Sequence, residues 1–150
     1  MTDETMILKK LNALKREEFM KAIIALLEKF GYGGCSEYYP SGIFTNRCFI
    51  HANLPILGFE EHASAISVIF QLFQRDVEVM DAEPLVKFVE EDNMPSEIGI
   101  ILTTGKIMGG VAALTVMTFH SHRFMLIDGD ELANMMIKQG IEPENYAIGD

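Results

Sequence analysis

The nine residues Ala65–Phe73, with the sequence AISVIFQLF, form the longest apolar stretch of the chain. They are rich in isoleucine, valine and phenylalanine and are bounded by polar residues, which is the pattern of a buried strand. Ser67 and Gln71 interrupt the stretch, and it is much shorter than the roughly 20 residues that a membrane-spanning helix requires. The stretch therefore predicts an internal β-strand, and we expect no membrane segment.

After this strand the chain alternates between helix and strand. The predicted elements are, in order, a helix capped by Asp81 with Pro84 in its first turn, a strand at Ile98–Leu102, a helix near Gly109–Phe119, a strand at Phe124–Ile127, and a helix opened by Asp128 and Glu131 at capping-box spacing. Asn93-Met94-Pro95 ends the first of these helices, and Gly140 ends the last. Strands separated by helices of about ten residues require parallel crossover connections, so the fold class is α/β.

Helices also precede the strand. Five apolar residues repeat with the helical period of 3.6 residues: Phe19, Ile23, Leu26, Leu27 and Phe30. Gly31 follows them, where a helix-ending glycine is expected. The five-residue step from Leu14 to Phe19 breaks the phase of an earlier apolar stripe. We therefore expect a short helix, a turn near Lys15–Glu17, and a longer helix.

The region Tyr32–Ser64 is the least regular part of the sequence. Turn signals at Gly33-Gly34 and at Pro40-Ser41-Gly42 surround a predicted strand at Ile43–His51. Asn53–Gly58 is predicted to be a loop. The chain contains no repeat, linker or low-complexity tract, so residues 1–150 are expected to form a single domain.

Composition and charge exclude several classes of protein. The chain has 150 residues, 49% of them hydrophobic, and a formal net charge of −10, which disfavours non-specific binding to nucleic acids or anionic membranes. Six of the twelve cations lie within the first thirty residues. Cys35 and Cys48 form no metal or redox motif, and the N-terminus does not resemble a signal peptide. We therefore expect a cytoplasmic protein.

Three segments resemble one known family. The first, made of Leu14–Phe19 and Ala25–Tyr32, resembles the opening helix of the Mrr-type restriction endonuclease domain. Ile98–Gly105 resembles its strand and threonine-rich turn, and Phe124–Ala133 resembles its closing strand and helix, where an IDG-x-x-L run is typical. The similarity covers most of the chain but not Tyr38–Ser64. It implies the PD-(D/E)xK nuclease fold, a mixed sheet flanked by helices in the order α-β-β-β-α-β-α-β-α.

The resemblance also implies where catalytic residues should stand. Such nucleases carry a carboxylate in the first helix, an aspartate on the second strand and a Glu/Gln-x-Lys on the third, which together hold Mg²⁺ and stabilise the charge that develops at the phosphate. In this sequence Gln71 matches the family glutamine, but Phe73 replaces the lysine and Met20 the helix carboxylate. No aspartate lies between Glu4 and Arg75. The implied site is therefore degenerate, and no cofactor is expected.

Two alternatives remain open for this site. Glu37, Glu60 or Glu61 could restore a Mg²⁺ site, with Arg75 supplying the charge of the missing lysine. The protein could instead bind DNA without cleaving it, through a set of seven cations: Lys9, Lys10, Lys15, Arg16, Lys21, Arg75 and Lys106.

Other motifs are less specific. His120 and His122 have a spacing compatible with zinc, but no cysteine or carboxylate is adjacent, which favours a polar turn. Thr103–Lys106 lies between a strand and a helix, where an anion can bind, but it lacks the glycine spacing of a phosphate loop. The ten methionines indicate core filling, with some available for an adaptable contact surface.

Taken together, these observations favour a catalytically inactive nuclease fold that acts by binding. The partner is expected to be another protein or a second copy of the chain, in an accessory role in a defence or DNA-processing system. Binding of DNA without cleavage is the main alternative, and an active metal-dependent endonuclease with a relocated site is the third.

Overall fold

The fold is built on a mixed five-stranded sheet. The computed structural model describes residues 2–38, 48–55, 65–90, 98–116 and 124–148. The elements in these ranges are α1 (Asp3–Ala13), α2 (Arg16–Lys29), β1 (Gly33–Glu37), β2 (Cys48–Pro55), β3 (Ala65–Phe73), α3 (Val79–Glu90), β4 (Ile98–Thr103), α4 (Gly109–Val116), β5 (Phe124–Ile127), α5 (Gly129–Gln139) and a short 3₁₀ helix (Pro143–Tyr146). This sequence of elements confirms the predicted order.

The five described strands lie in the order β1-β2-β3-β4-β5. The first three are antiparallel neighbours, whereas β4 runs parallel to β3 and β5 runs parallel to β4. The two parallel pairs are joined through α3 and α4, as crossover connections require. The α/β class and the internal position of Ala65–Phe73 are thus confirmed.

Helices cover both faces of the sheet, because side chains alternate along β3. Val68, Phe70 and Leu72 pack in a core layer with α1, α2 and α5, in which Leu26 and Leu132 are fully buried. On the opposite face Ile69 and Phe73 pack with residues of α3 and α4. Each face therefore has its own apolar layer, which is the three-layer arrangement of α/β proteins.

The helix ends follow the sequence signals closely. Leu14 separates α1 from α2, and Gly31 has a φ of 94° just beyond α2. The side chain of Asp128 accepts a hydrogen bond from the backbone N–H of Glu131 at 3.0 Å, as an N-cap should. Gly140 ends α5 in the left-handed conformation, with φ 66°. These local predictions are confirmed.

The start of α3 differs from the prediction. The helix begins at Val79, so Asp81 lies within its first turn rather than capping it, and Pro84 lies inside the helix. The carboxylate of Asp81 instead accepts from the backbone N–H of Glu78 at 2.9 Å and from Arg75. The predicted stop at 93–95 and the end of the predicted α4 helix lie outside the described residues.

Two predictions in the irregular region were wrong. Gly33 and Gly34 belong to strand β1, not to a turn, and a register shift between Gly33 and Ser36 accommodates the positive φ of Gly34. The segment 53–55 belongs to strand β2, because it pairs with β3 along its whole length instead of forming a loop. The predicted strand start at 43–47 lies outside the described residues.

None of the described helices combines the length and apolarity needed to cross a membrane.

Candidate functional site

A cavity of about 420 Å³ opens at the end of strand β3. It lies where the start of α2, the start of β2, the end of β3 and the first turn of α3 meet. Its lining residues come from all four elements: Arg16, Cys48, Gln71, Leu72, Phe73, Gln74, Arg75 and Asp81. This volume lies in the range of small-molecule sites.

Gln74 holds the start of α2 beside the cavity. Its side-chain amide donates to the carbonyl oxygens of Leu11 and Leu14, at 2.9 and 3.0 Å. These carbonyls belong to the end of α1, where a helix leaves its last acceptors unpaired. The junction between α1 and α2 is therefore fastened to the end of β3, and this brings Arg16 to the cavity wall.

The register between β2 and β3 shows which residues share a face of the sheet with Gln71. Phe49 lies opposite Gln71 in the antiparallel pair, and Phe73 lies two residues further along the same strand. Because strand side chains alternate, these three residues share one face of the sheet. Two of the three positions hold phenylalanines that are buried in the apolar layer with α3 and α4.

Gln71 is the buried polar group of this site. It is 1% exposed, and its side-chain oxygen, Oε1, has no hydrogen-bond partner among the described residues. Buried polar atoms in folded proteins nearly always have a partner, since burial without one costs free energy. The unpartnered oxygen therefore marks Gln71 as a residue that packing alone does not explain.

Arg75 and Asp81 form a two-point ion pair at the cavity wall. Arg75 Nη1 and Nη2 donate to the two Asp81 carboxylate oxygens at 2.7 and 2.8 Å, and Asp81 raises the pKa of Arg75. The guanidinium carbon also lies 5.2 Å from the centroid of the Phe73 ring. Arg75 thus lies beside Phe73, and the Asp81 carboxylate neutralises its charge.

The thiol of Cys48 adds no nucleophile to the cavity. Burial raises its pKa above 9.0, and the neighbouring Arg16 guanidinium only partly opposes that shift. The thiol is therefore protonated near neutral pH, whereas nucleophilic cysteines are thiolates.

Among the residues that the structure describes, the carboxylates needed for a metal site do not gather here. No group of three or more histidines, cysteines, aspartates or glutamates with metal-binding geometry occurs among the described residues, and Asp81 is the one carboxylate among those lining the cavity. Met20 is 8% exposed and packs in the layer with α1 and α2. Glu37 is exposed on β1, while Glu60 and Glu61 lie outside the described residues.

The seven cations proposed for DNA binding lie in different local environments. Arg16 and Arg75 line the cavity. Lys15 directly precedes α2, and the backbone of Lys106 is joined to Asp76 by a 2.8 Å hydrogen bond, so both lie near this end of the sheet. The others are on the helices: Lys9 and Lys21 are exposed, and Lys10 pairs with Glu144 at 3.0 Å.

The threonine-rich turn has a structural role. The Thr103 hydroxyl donates to the carbonyl of Arg75 and accepts from the backbone N–H of Gly105 at 2.9 Å. The Thr104 hydroxyl donates to the Asn12 side chain at 2.6 Å. The turn therefore braces the cavity wall, in agreement with the simpler interpretation of this motif. His120 and His122 lie outside the described residues.

Sequence reasoning missed four residues that line the cavity: Cys48, Leu72, Gln74 and Asp81. It also missed Phe49, which lies opposite Gln71 on β2. Arg75 and Asp81 are six residues apart, a spacing that does not by itself predict an ion pair. The role of Gln74 depends on the junction between α1 and α2, about 60 residues away in the sequence. The position of Phe49 follows from strand register, which the irregular sequence around it does not specify.

The comparisons with known proteins bear on the fold. No family model and no curated protein matches the sequence. Two solved structures match it with low identity. The DNA modification-dependent restriction endonuclease AspBHI is 14% identical with a TM-score of 0.63, over 96% of this chain and 38% of that one. The MspJI restriction endonuclease in complex with a 27-mer oligonucleotide is 13% identical with a TM-score of 0.60, over 95% of this chain and 33% of that one.

The chain thus spans little more than a third of the length of either endonuclease. Its sheet order and helical layers correspond to a portion of each, although few residues are identical. We conclude that this protein has the restriction-endonuclease-like fold.

Proposed function

We propose that this protein is a nuclease fold that does not cleave DNA and acts by binding, with another protein or a second copy of itself as partner. The observation that carries the proposal is the identity of the three residues on the site face of β2 and β3. Phe49, Gln71 and Phe73 stand where metal-dependent cleavage calls for carboxylates and a lysine. A neutral amide is a weak ligand for Mg²⁺, and without the ion no hydroxide is generated at neutral pH.

The substitutes that the sequence offers do not restore this chemistry. Arg75 is already paired through both nitrogens with Asp81, and that pairing also occupies the carboxylate. Glu37 lies on β1 and faces solvent. A relocated metal site would need at least one more carboxylate beside Asp81. The geometry of the described residues therefore supports an inactive site.

Binding to a protein is supported by exposed methionines. Met80 is 77% exposed and Met108 is 38% exposed. They lie near each other, because the N–H of Met108 bonds to the carbonyl of Val77 at 3.0 Å, three residues before Met80. Methionine side chains are flexible and polarisable, and they suit adaptable contact surfaces. The net charge of −10 makes such a surface a better candidate than a phosphate backbone.

DNA binding without cleavage is the second candidate. Arg16 and Arg75 share one cavity, and Lys15 and Lys106 lie near it. One of the two similar structures holds an oligonucleotide. If DNA binds here, affinity should fall steeply with added salt, because phosphate contacts release counterions.

We also propose that the relationship is to the Mrr type, on the basis of the IDG-x-x-L run at Ile127–Leu132. In the structure Asp128 caps α5 and Gly129 packs against the backbone of Thr104. The aspartate and the glycine of the run therefore each have a structural role. The thiols of Cys35 and Cys48 are both free, which supports a reducing, cytoplasmic location.

A plasmid assay tests the proposal. Supercoiled plasmid is titrated with the protein in Mn²⁺ and, separately, in EDTA, and is analysed on a gel. We expect no nicking in either condition, and no shift at physiological salt if the partner is a protein. A shift without nicking would favour the DNA-binding candidate. Nicking that requires Mn²⁺ would refute the inactive site and direct attention to Glu37, Glu60 and Glu61.

A further inference from the structure

We propose that the cavity at the end of β3 binds a nucleotide, whose base donates a hydrogen bond to Gln71 and whose phosphate lies against Arg16 and Arg75. The inference rests on the proposed function, because it assigns a ligand to a site that has lost its metal chemistry. It goes beyond that function in naming what the site recognises.

The first observation is the side-chain oxygen of Gln71. This oxygen is buried and has no hydrogen-bond partner among the described residues, and Gln71 is one of the residues that line the cavity. An amide oxygen accepts hydrogen bonds and does not donate them. Its natural complement is a ligand with an N–H or O–H group. A bare metal ion donates no hydrogen bond, and a single neutral amide oxygen holds such an ion only weakly.

The second observation is the charge of the cavity wall. Three of the described residues that line the cavity are charged. They are two arginines, Arg16 and Arg75, and one aspartate, Asp81. The guanidinium fork fits phosphate as well as it fits carboxylate. Arg75 is 59% exposed, so its outer edge remains accessible while it is paired with Asp81. A ligand anion would therefore contact Arg16 and Arg75 while each keeps its existing interactions within the protein.

The third observation is the apolar part of the wall. Leu72 and Phe73 line the same cavity as Gln71 and the two arginines, and their side chains offer apolar surface to a flat heterocycle. A cavity of about 420 Å³ lies within the range for small-molecule ligands. Nucleotides combine a planar body, N–H donors at its edge and a phosphate. This is the combination that the amide, the apolar wall and the arginines complement.

A free nucleotide and the end of a nucleic acid strand offer the same chemistry to this site. The experiment therefore includes both. Binding is measured in EDTA by isothermal titration calorimetry, with the four deoxynucleoside 5′-monophosphates, the corresponding nucleosides, inorganic phosphate, and a 5′-phosphorylated single-stranded hexanucleotide. EDTA separates this binding from any metal-dependent contact.

Matched variants make the measurement specific. Gln71→Leu removes the acceptor at nearly constant volume, and Arg16→Gln removes one guanidinium. Gln139→Leu on α5 and Lys29→Gln at the end of α2 are the controls, since neither residue lines the cavity. Gln71→Leu removes an unpartnered polar atom from the interior, so this variant is expected to fold. Its melting curve is recorded before the titration to confirm that.

We expect at least one monophosphate to bind more tightly than its nucleoside and than phosphate alone. Gln71→Leu and Arg16→Gln should each weaken it by about tenfold or more, the effect of one lost hydrogen bond or charge contact, and the controls should not. Binding by the hexanucleotide alone, with the same sensitivity to both variants, supports the same site with nucleic acid as the source. Absence of binding, or binding that Gln71→Leu leaves unchanged, would overturn the inference.

The two proposals fail in different ways. Metal-dependent nicking of plasmid refutes the inactive site, whatever binds in the cavity. Unnicked plasmid together with no nucleotide binding refutes the inference alone and leaves protein binding as the function.

Discussion

Asp81 accepts two hydrogen bonds from the guanidinium group of Arg75, at 2.7 and 2.8 Å, beside the ring of Phe73. The guanidinium group thus lies beside a neutral ring and is held by a carboxylate. The pair therefore joins the residues just after β3 to the first turn of α3.

The Arg75–Asp81 pair is expected to contribute little to stability. Because Arg75 is 59% exposed, solvent screens the interaction, and such pairs are typically worth about 0.2–1 kcal/mol. A double-mutant cycle with Arg75→Gln and Asp81→Asn, measured by urea unfolding, should give a coupling energy in that range that falls with added salt. A coupling well above 2 kcal/mol would show that the pair is a principal support of the cavity.

Gln71→Leu should stabilise the free protein. The substitution replaces an unpartnered buried amide oxygen with a methyl group of similar size, so a desolvation cost on the order of 1 kcal/mol is removed. Chemical denaturation should show a higher midpoint with an unchanged slope. Gln139→Leu, on α5, is the control and should have a near-neutral effect. Marked destabilisation by Gln71→Leu would mean that the amide has a partner in the folded protein.

Phe73→Lys should not create a nuclease. Phe73 is 9% exposed, so the substitution buries an ammonium group, at a cost of several kcal/mol. The described carboxylate of the cavity wall, Asp81, is already paired with Arg75. We expect a lower melting temperature and no nicking of plasmid in Mn²⁺. Phe73→Leu, which preserves the apolar character, should lose less stability. Metal-dependent nicking by Phe73→Lys would show that the necessary carboxylates are present.

Gly129 should tolerate no side chain. A Cβ atom at this position would lie 2.8 Å from the carbonyl carbon of Thr104 and 3.0 Å from the carbonyl oxygen of Gly105, and neither backbone group can rotate away. Gly129→Ala is therefore expected to cost about 1–3 kcal/mol, measured by thermal or urea unfolding. Gly109→Ala is the matched control, because open space surrounds Gly109. Equal effects of the two substitutions would contradict this explanation of the IDG run.

The contact between Glu18 and the backbone of Ile148 should depend on pH. Its carboxylate accepts from the backbone N–H groups of Lys15, at 2.7 Å, and of Ile148. These two bonds lower the pKa of Glu18 below its ordinary value of 4.5. A lowered pKa in the folded state means that the stabilisation is present above pH 4.5 and is lost as the pH falls through the lower, folded-state pKa.

Nuclear magnetic resonance can follow this release. The amide resonance of Ile148 should shift towards its unfolded position with a midpoint below pH 4.5, and Glu18→Gln should weaken the contact at neutral pH. Glu17→Gln, which alters the exposed neighbour, should leave the resonance in place. A midpoint at or above 4.5 in the native protein would contradict the assigned hydrogen bonds.

The sequence by itself determined the elements whose signals are local. The stripe from Phe19 to Phe30 specifies α2, Gly31 and Gly140 end their helices, and Asp128 begins α5. These features depend on hydrogen bonds and side-chain periodicity within a few residues, which are read directly from the chain. The alternation of helix and strand after Phe73 also follows, because crossover connections constrain a parallel sheet.

The tertiary structure alone decided the composition of the cavity. Phe49 stands opposite Gln71 because β2 and β3 pair in one register, and a shift by one residue would have turned every side chain to the other face. Asp81 lies in the first turn of α3, where its carboxylate accepts hydrogen bonds both from the backbone N–H of Glu78 and from Arg75, six residues earlier. The side-chain amide of Gln74 donates a hydrogen bond to the carbonyl oxygen of Leu14, which is 60 residues earlier in the chain. Strand register and long-range hydrogen bonds depend on how distant segments pack together, so no local pattern in the sequence predicts them.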